Sequence, residues 1–160
     1  ADVILFGIAA NIMAGIGAMI GGFLDDKIGA KTTIMASLVG LTIAGFAVFL
    51  FAGYGAITYW IGGLALTLFV GPAQAASRSF VARFTPEGRE GEVFGLYMTT
   101  GRAVSFLSPL LWTTAISAAL AAGIQNAQAT IYGILGLMLV LVVGTILMSR
   151  VHPSPDVISD

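Results

Sequence analysis

Apolar and polar positions divide this chain into long apolar runs separated by short polar breaks. The first run extends from Val3 to Leu24, matching the roughly 20 residues that a helix needs to cross a bilayer. From Thr32 to Ser77 no charged residue appears. As a single helix that stretch would measure about 70 Å against a hydrocarbon core of about 30 Å, so it must cross, turn and cross back. The turn is expected at "AGYGA", residues 52 to 56, where two glycines loosen the helix and Tyr54, Tyr59 and Trp60 supply an interfacial belt. A second uncharged stretch, Ala103 to Ser149, is broken at 121 to 128 by "AAGIQNAQ" and reads the same way. The pattern thus predicts five spanning helices, near 2 to 24, 32 to 52, 57 to 82, 93 to 119 and 129 to 149, with no strand. They form one bundle over residues 1 to 150, followed by a polar tail at 151 to 160 that carries the lone His152.

Composition agrees with this pattern. With 58% hydrophobic residues, 9% charged residues and a mean hydropathy of +0.97, the chain reads as an all-α integral membrane protein embedded in a lipid bilayer. A net charge of -1 and seven scattered basic residues cannot form a phosphate-binding surface, which excludes a nucleic-acid partner. There is no cysteine, and no His or carboxylate cluster has metal-ligand spacing. Nor does a glycine-rich loop follow a strand, so no cofactor, metal or catalytic residue is expected. The adjacent Asp25 and Asp26 point about 100° apart on a helix, which argues against a membrane-embedded metalloenzyme.

Charge also orients the bundle. Lys27, Lys31, Arg78, Arg83, Arg89 and Arg150 all fall on one side, which the positive-inside bias assigns to the cytoplasm together with the carboxyl terminus. The start of the chain then faces outward. With no basic region before it and no initiator Met, such a start is expected of a piece of a longer protein.

Four charges crowd into one short connection, "GGFLDDKIGAK" at 21 to 31. Asp25 and Asp26 close a helix at its carboxyl end, where the macrodipole disfavours each by about 0.3 to 1 kcal/mol. One reading is a solvated turn, with Lys27 and Lys31 offsetting the cost, Gly29 in the left-handed conformation and Thr32 or Thr33 capping the next helix. The other is a latch, in which a carboxylate points at the amino end of a neighbouring helix. In the connection "RFTPEGREGEVF", Thr85, Pro86 and Glu87 have helix-start chemistry and predict a short amphipathic helix on the membrane, with Arg78 or Arg83 free to pair with Glu87 or Glu90.

Three strongly polar residues share the middle layer of the predicted spans. Arg102 lies about 13 Å past Val93, where an arginine costs roughly 2.5 to 3.5 kcal/mol on insertion scales and marks a functional site unless it snorkels to the surface. Gln74 and Asn11 lie at similar depth and face either the same cavity or a neighbouring helix. The second and fifth predicted helices hold nothing more polar than Ser, Thr and Tyr, and read as lipid-facing. Gly17 and Gly21, with Ala10, Ala14, Ala18 and Gly22, mark close helix packing. Gly71 and Pro72 in the third helix, and Pro109 in the fourth, are either gating hinges or static kinks.

Gly22, Asp26, Lys27, Gly29 and Lys31 reproduce G-x-x-x-D-K-x-G-x-K, which resembles the signature loop of the major facilitator superfamily, with Ala30 where a basic residue is common. The stretch from Gly71 to Trp112, with Gln74, Ser77, Arg78, Ser79, Pro86, Gly88, Phe94, Gly95, Tyr97, Pro109 and Leu110, is similar to the vacuolar-effluxer-like branch of that superfamily. The resemblance implies that the five helices correspond to helices eight to twelve of a twelve-helix bundle and that Asp26 helps hold a cytoplasmic latch. It further implies a fragment of a secondary transporter that effluxes small solutes such as amino acids by alternating access. The partners would be the amino-terminal half of the same transporter and a small-molecule substrate. Expressed alone, such a half-bundle is expected to form a non-native dimer. The alternative is a five-helix structural or assembly subunit without transport.

Overall fold

The computed structural model describes residues 2–151, apart from the side chains of 126 and 127; the rest of the polar tail, His152 included, lies outside the described residues. Among the described residues six α-helices follow one another: α1 (Asp2–Ile28), α2 (Ala30–Leu50), α3 (Ala56–Arg83), α4 (Glu90–Val104), α5 (Leu107–Ala121) and α6 (Asn126–Arg150). A 3-10 turn at Ala52–Tyr54 joins α2 to α3, and no strand occurs among the described residues. By length and apolarity α1, α2, α3, α6 and the α4–α5 pair make five candidate spans. This is the all-α membrane architecture that the pattern predicts.

Glycine sets three of the turns. Gly29, Gly55 and Gly123 have φ of 84°, 78° and 85°, a region that costs glycine nothing and other residues much. Gly29 therefore ends α1 as expected, but Thr33 does not cap α2. Its hydroxyl instead donates to the Gly29 carbonyl at 3.1 Å, because Thr33 is already one turn inside a helix that starts at Ala30. The connection at 84–89 also departs from expectation. No helix starts at Pro86; Thr85 donates back to the Val81 carbonyl, and Gly88, at φ 81°, turns the chain so that α4 begins at Glu90.

The fourth span runs from Glu90 to Ala121 as the pattern predicts, but its helical hydrogen bonding is interrupted midway at Ser105 and Phe106, which keep right-handed helical dihedrals. α4 ends at Val104 and α5 begins at Leu107, with a turn at Ser105 and Phe106. Proline has no N–H, so Pro109 cannot donate to the Ser105 carbonyl four residues earlier, and its ring crowds that carbonyl. Ser105 tightens instead, its N–H meeting the Arg102 carbonyl at 3.2 Å and its hydroxyl the same oxygen at 2.6 Å. Pro72 has no such effect, since α3 runs unbroken from Ala56 to Arg83 through it.

Two sub-bundles pack side by side: α3 lies against α1 and α2, while α5 lies against α6, and α2 joins the two by packing on α6. Where α1 crosses α3 the backbones touch. A Cβ on Gly17 would overlap the Leu68 carbonyl, one on Gly21 would overlap Pro72, and one on Gly71 would overlap α1 at Ala14 and Ala18. Gly22 meets nothing, so the contact face is that of Gly17 and Gly21. One face of α2 is enclosed by the bundle and the other is open. Thr33, Ile34, Ser37, Leu41 and Val48 are buried, whereas Val39, Ile43, Phe46 and Leu50 face out. Its buried hydroxyls do not reveal this in the sequence because they are satisfied by its own carbonyls, Ser37 on Thr33 at 2.7 Å.

Candidate functional site

Arg102 lies in the last turn of α4, three residues before the break at Ser105. It lines an open groove of about 770 Å³ along α4 and the end of α3, flanked by Val81, Val93, Leu96, Tyr97 and Met98. Arg102 is the sole charged residue in that lining; Thr100, Ser105 and the Tyr97 hydroxyl are its polar companions. Arg102 is itself exposed beside these apolar side chains, so its guanidinium offers five donors to an anionic group at the open face of α4.

Of the three mid-layer residues, only Arg102 lines this groove. The Gln74 side chain is exposed on α3, and its backbone carbonyl accepts the Ser77 hydroxyl at 2.9 Å. Asn11 is exposed on α1 and donates to the Gly7 carbonyl of its own helix at 2.8 Å. Gly71 and Pro72 are buried against α1, while Pro109 sits exposed beyond the break.

The Ser77 and Tyr97 hydroxyls lie 2.9 Å apart and bridge α3 to α4. Nothing in the sequence pairs two residues 20 positions apart, so this bridge comes only from the fold. Tyr97 also meets Phe94 edge-on, with ring centroids 6.5 Å apart.

At the Lys- and Arg-rich end, the signature residues separate. Gly22, Asp26 and Lys27 are exposed, with the Lys27 ammonium 4.4 Å from the centre of the Phe23 ring. Asp25, one residue earlier, is the carboxylate turned inward: its side chain is 7% exposed and 3.1 Å from an Arg83 nitrogen. That spacing makes a charge contact, although its angle falls short of a directed hydrogen bond. Arg83 therefore pairs across the bundle and not with Glu87 or Glu90, because the close α1–α3 crossing brings the two helix ends together. Glu90 instead accepts the Gly88 N–H, and Arg89 pairs with Glu92 at 2.7 Å. Lys31 spans to the other sub-bundle, donating to the Val151 carbonyl at 2.5 Å and lying 3.5 Å from the Ser149 carbonyl, where an ammonium complements the end of α6.

An uncharacterized MFS-type transporter of Bacillus subtilis (strain 168), YxiO, is 26% identical over 149 residues. The match covers 93% of this chain but 32% of that relative, so the chain spans less than half of the longer protein. No solved structure matches. The family described as "Vacuole effluxer Atg22 like" matches residues 1–154. With nearly its whole length matched, and with apolar helices suited to a membrane, the chain belongs to this vacuole effluxer-like family of the major facilitator superfamily.

Proposed function

We propose that this chain is the carboxyl-terminal part of a secondary transporter, its helices corresponding to helices eight to twelve of a twelve-helix bundle, and that it moves small solutes by alternating access. The observation that carries this reading is Arg102, the one charge in an otherwise apolar groove beside a break in its span. Charge in that position is costly to insert and points to a solute bearing a carboxylate, such as an amino acid moved outward from its compartment. Gln74 and Asn11 serve the same cavity once the rest of the transporter encloses it. The basic ends and the carboxyl terminus face the cytoplasm, where Gly22, Asp26, Lys27, Gly29 and Lys31 form the latch. The open apolar face of α1, with Val3, Ile4 and Met19 70% or more exposed, packs on lipid and on the remaining helices of the transporter.

The test uses the full-length gene product reconstituted in liposomes. Arg102→Ala is expected to lower export of a carboxylate-bearing solute by about ten-fold or more, the loss of a charge-assisted contact. Full transport by that variant would overturn the reading.

A further inference from the structure

A proline inside a span frees the carbonyl four residues before it, and Pro72 and Pro109 differ in what becomes of that oxygen. Pro72 frees the Leu68 carbonyl. A Cβ on Gly17 would overlap this oxygen, so in glycine it is a Cα hydrogen that points at it, and Gly71 returns the contact toward the Ala14 carbonyl. Pro72 itself is buried, its ring against Gly21. The carbonyl that α3 cannot use is therefore taken up by α1, at the point where α3 would otherwise bend.

Pro109 frees the Ser105 carbonyl, and among the described residues no donor reaches it. Ser105 and Phe106 keep helical φ angles of -60° and -73°, so the joint is a length of helix short of its hydrogen bonds. Its two arms are held unequally. α5 is fixed on α6, where a Cβ on Gly136 would overlap the Leu111 carbonyl and one on Gly133 the Trp112 ring. α4 rests on the end of α3, tied there by the Ser77 and Tyr97 hydroxyls 2.9 Å apart, and its residues 98–104 are all exposed. We propose that α4 is the moving arm of this chain: it pivots at Ser105–Pro109 when the Ser77 and Tyr97 hydroxyls part, while α1 and α3 move as one block in which Pro72 is a clamp and not a hinge. For its purpose alone, carrying Arg102 with the arm, the inference rests on the transporter reading.

Distances between paired nitroxide spin labels in the full-length protein, in lipid nanodiscs, test the pivot with no solute present, so they stand or fall apart from the export assay. The labels replace exposed side chains, Leu96 on α4 with Leu147 on α6, and Met19 on α1 with Ile61 on α3. The first pair is expected to show two separations, docked and swung, and the second pair one. Pro109→Ala gives the Ser105 carbonyl a donor and should lower the ratio of swung to docked α4 by about five-fold, whereas Tyr97→Phe removes the tie and should raise it by about the same factor. Pro72→Ala should leave both pairs unchanged, because the Leu68 carbonyl already has its contact on α1. A single first-pair separation that neither Pro109→Ala nor Tyr97→Phe moves overturns the pivot. A second pair that shows two separations, or that Pro72→Ala alters, overturns the clamp.

Discussion

The α1–α3 crossing and α4 hold together by opposite means. At the crossing, Gly17, Gly21 and Gly71 let two backbones meet with only the Pro72 ring between them, and the one charge contact, Asp25 with Arg83, lies at the helix ends. α4 rests on little beyond α3: Leu96 is 70% exposed, Met98 and Val104 are exposed, and one hydroxyl bridge ties the helix down before the break at Ser105. In lipid, dispersion contact between small residues is the main source of helix association, so the crossing is the rigid part. The charged residue of the candidate site sits on the loosely held part. Functional elements are commonly drawn from the low-stability end of a structure, and here that end can be named residue by residue.

This contrast can be broken most forcefully at the crossing. Gly17→Val is expected to cost about 3 kcal/mol or more, since its side chain would overlap the Leu68 carbonyl and only separation of the helices relieves that. Thermal unfolding in detergent measures it, and an unchanged midpoint would mean the helices are not in backbone contact. Next comes Arg83→Met, expected to cost about 2 kcal/mol because it leaves the enclosed Asp25 carboxylate without its cation, discounted for the half-exposed guanidinium. A double-mutant cycle with Asp25→Asn checks it: coupling should be present with Asp25 and absent when Asp26 is changed instead. Tyr97→Phe should cost about 1 kcal/mol and act locally. Amide hydrogen exchange should quicken in α4 and stay unchanged in α1, and quickening in both would erase the distinction between the regions. The smallest effect sharpens the comparison: Gly22→Ala, on the open side of α1, should stay within about 0.5 kcal/mol, whereas Gly21→Ala, one position earlier, should cost about 1 to 3 kcal/mol.

Much of this architecture was legible because lipid leaves few options. Uncharged stretches too long for one crossing had to turn back, and glycines at 55 and 123 stand where they do so. Gly17 and Gly21 announced a close contact by their spacing alone. The break at Ser105 was legible in principle, four residues before Pro109, but a proline four places from a carbonyl does not say whether a helix bends or stops; Pro72 sits in an unbroken helix. Which of Asp25 and Asp26 turns inward depends on the rotation of α1, which its packing on α3 decides and its composition does not. Arg102 stood out by depth, while Tyr97 entered only among the residues of the family resemblance until the fold placed Ser77 beside it. Enclosure of α2 was hidden for a related reason, its hydroxyls having found partners within their own helix.

The clasp between Lys31 and the end of α6 also has a consequence for biogenesis. Its partners, Ser149 and Val151, lie 118 and 120 residues downstream, so α2 enters the membrane long before the group it will hold exists. At about 5 to 20 residues per second of synthesis, that interval is on the order of ten seconds. During that time the α1–α3 crossing can already form, whereas the seam between the two sub-bundles has no far wall. Among the described helices, α6 is therefore the one that closes this seam, and until it is made Lys31 has no clasp there.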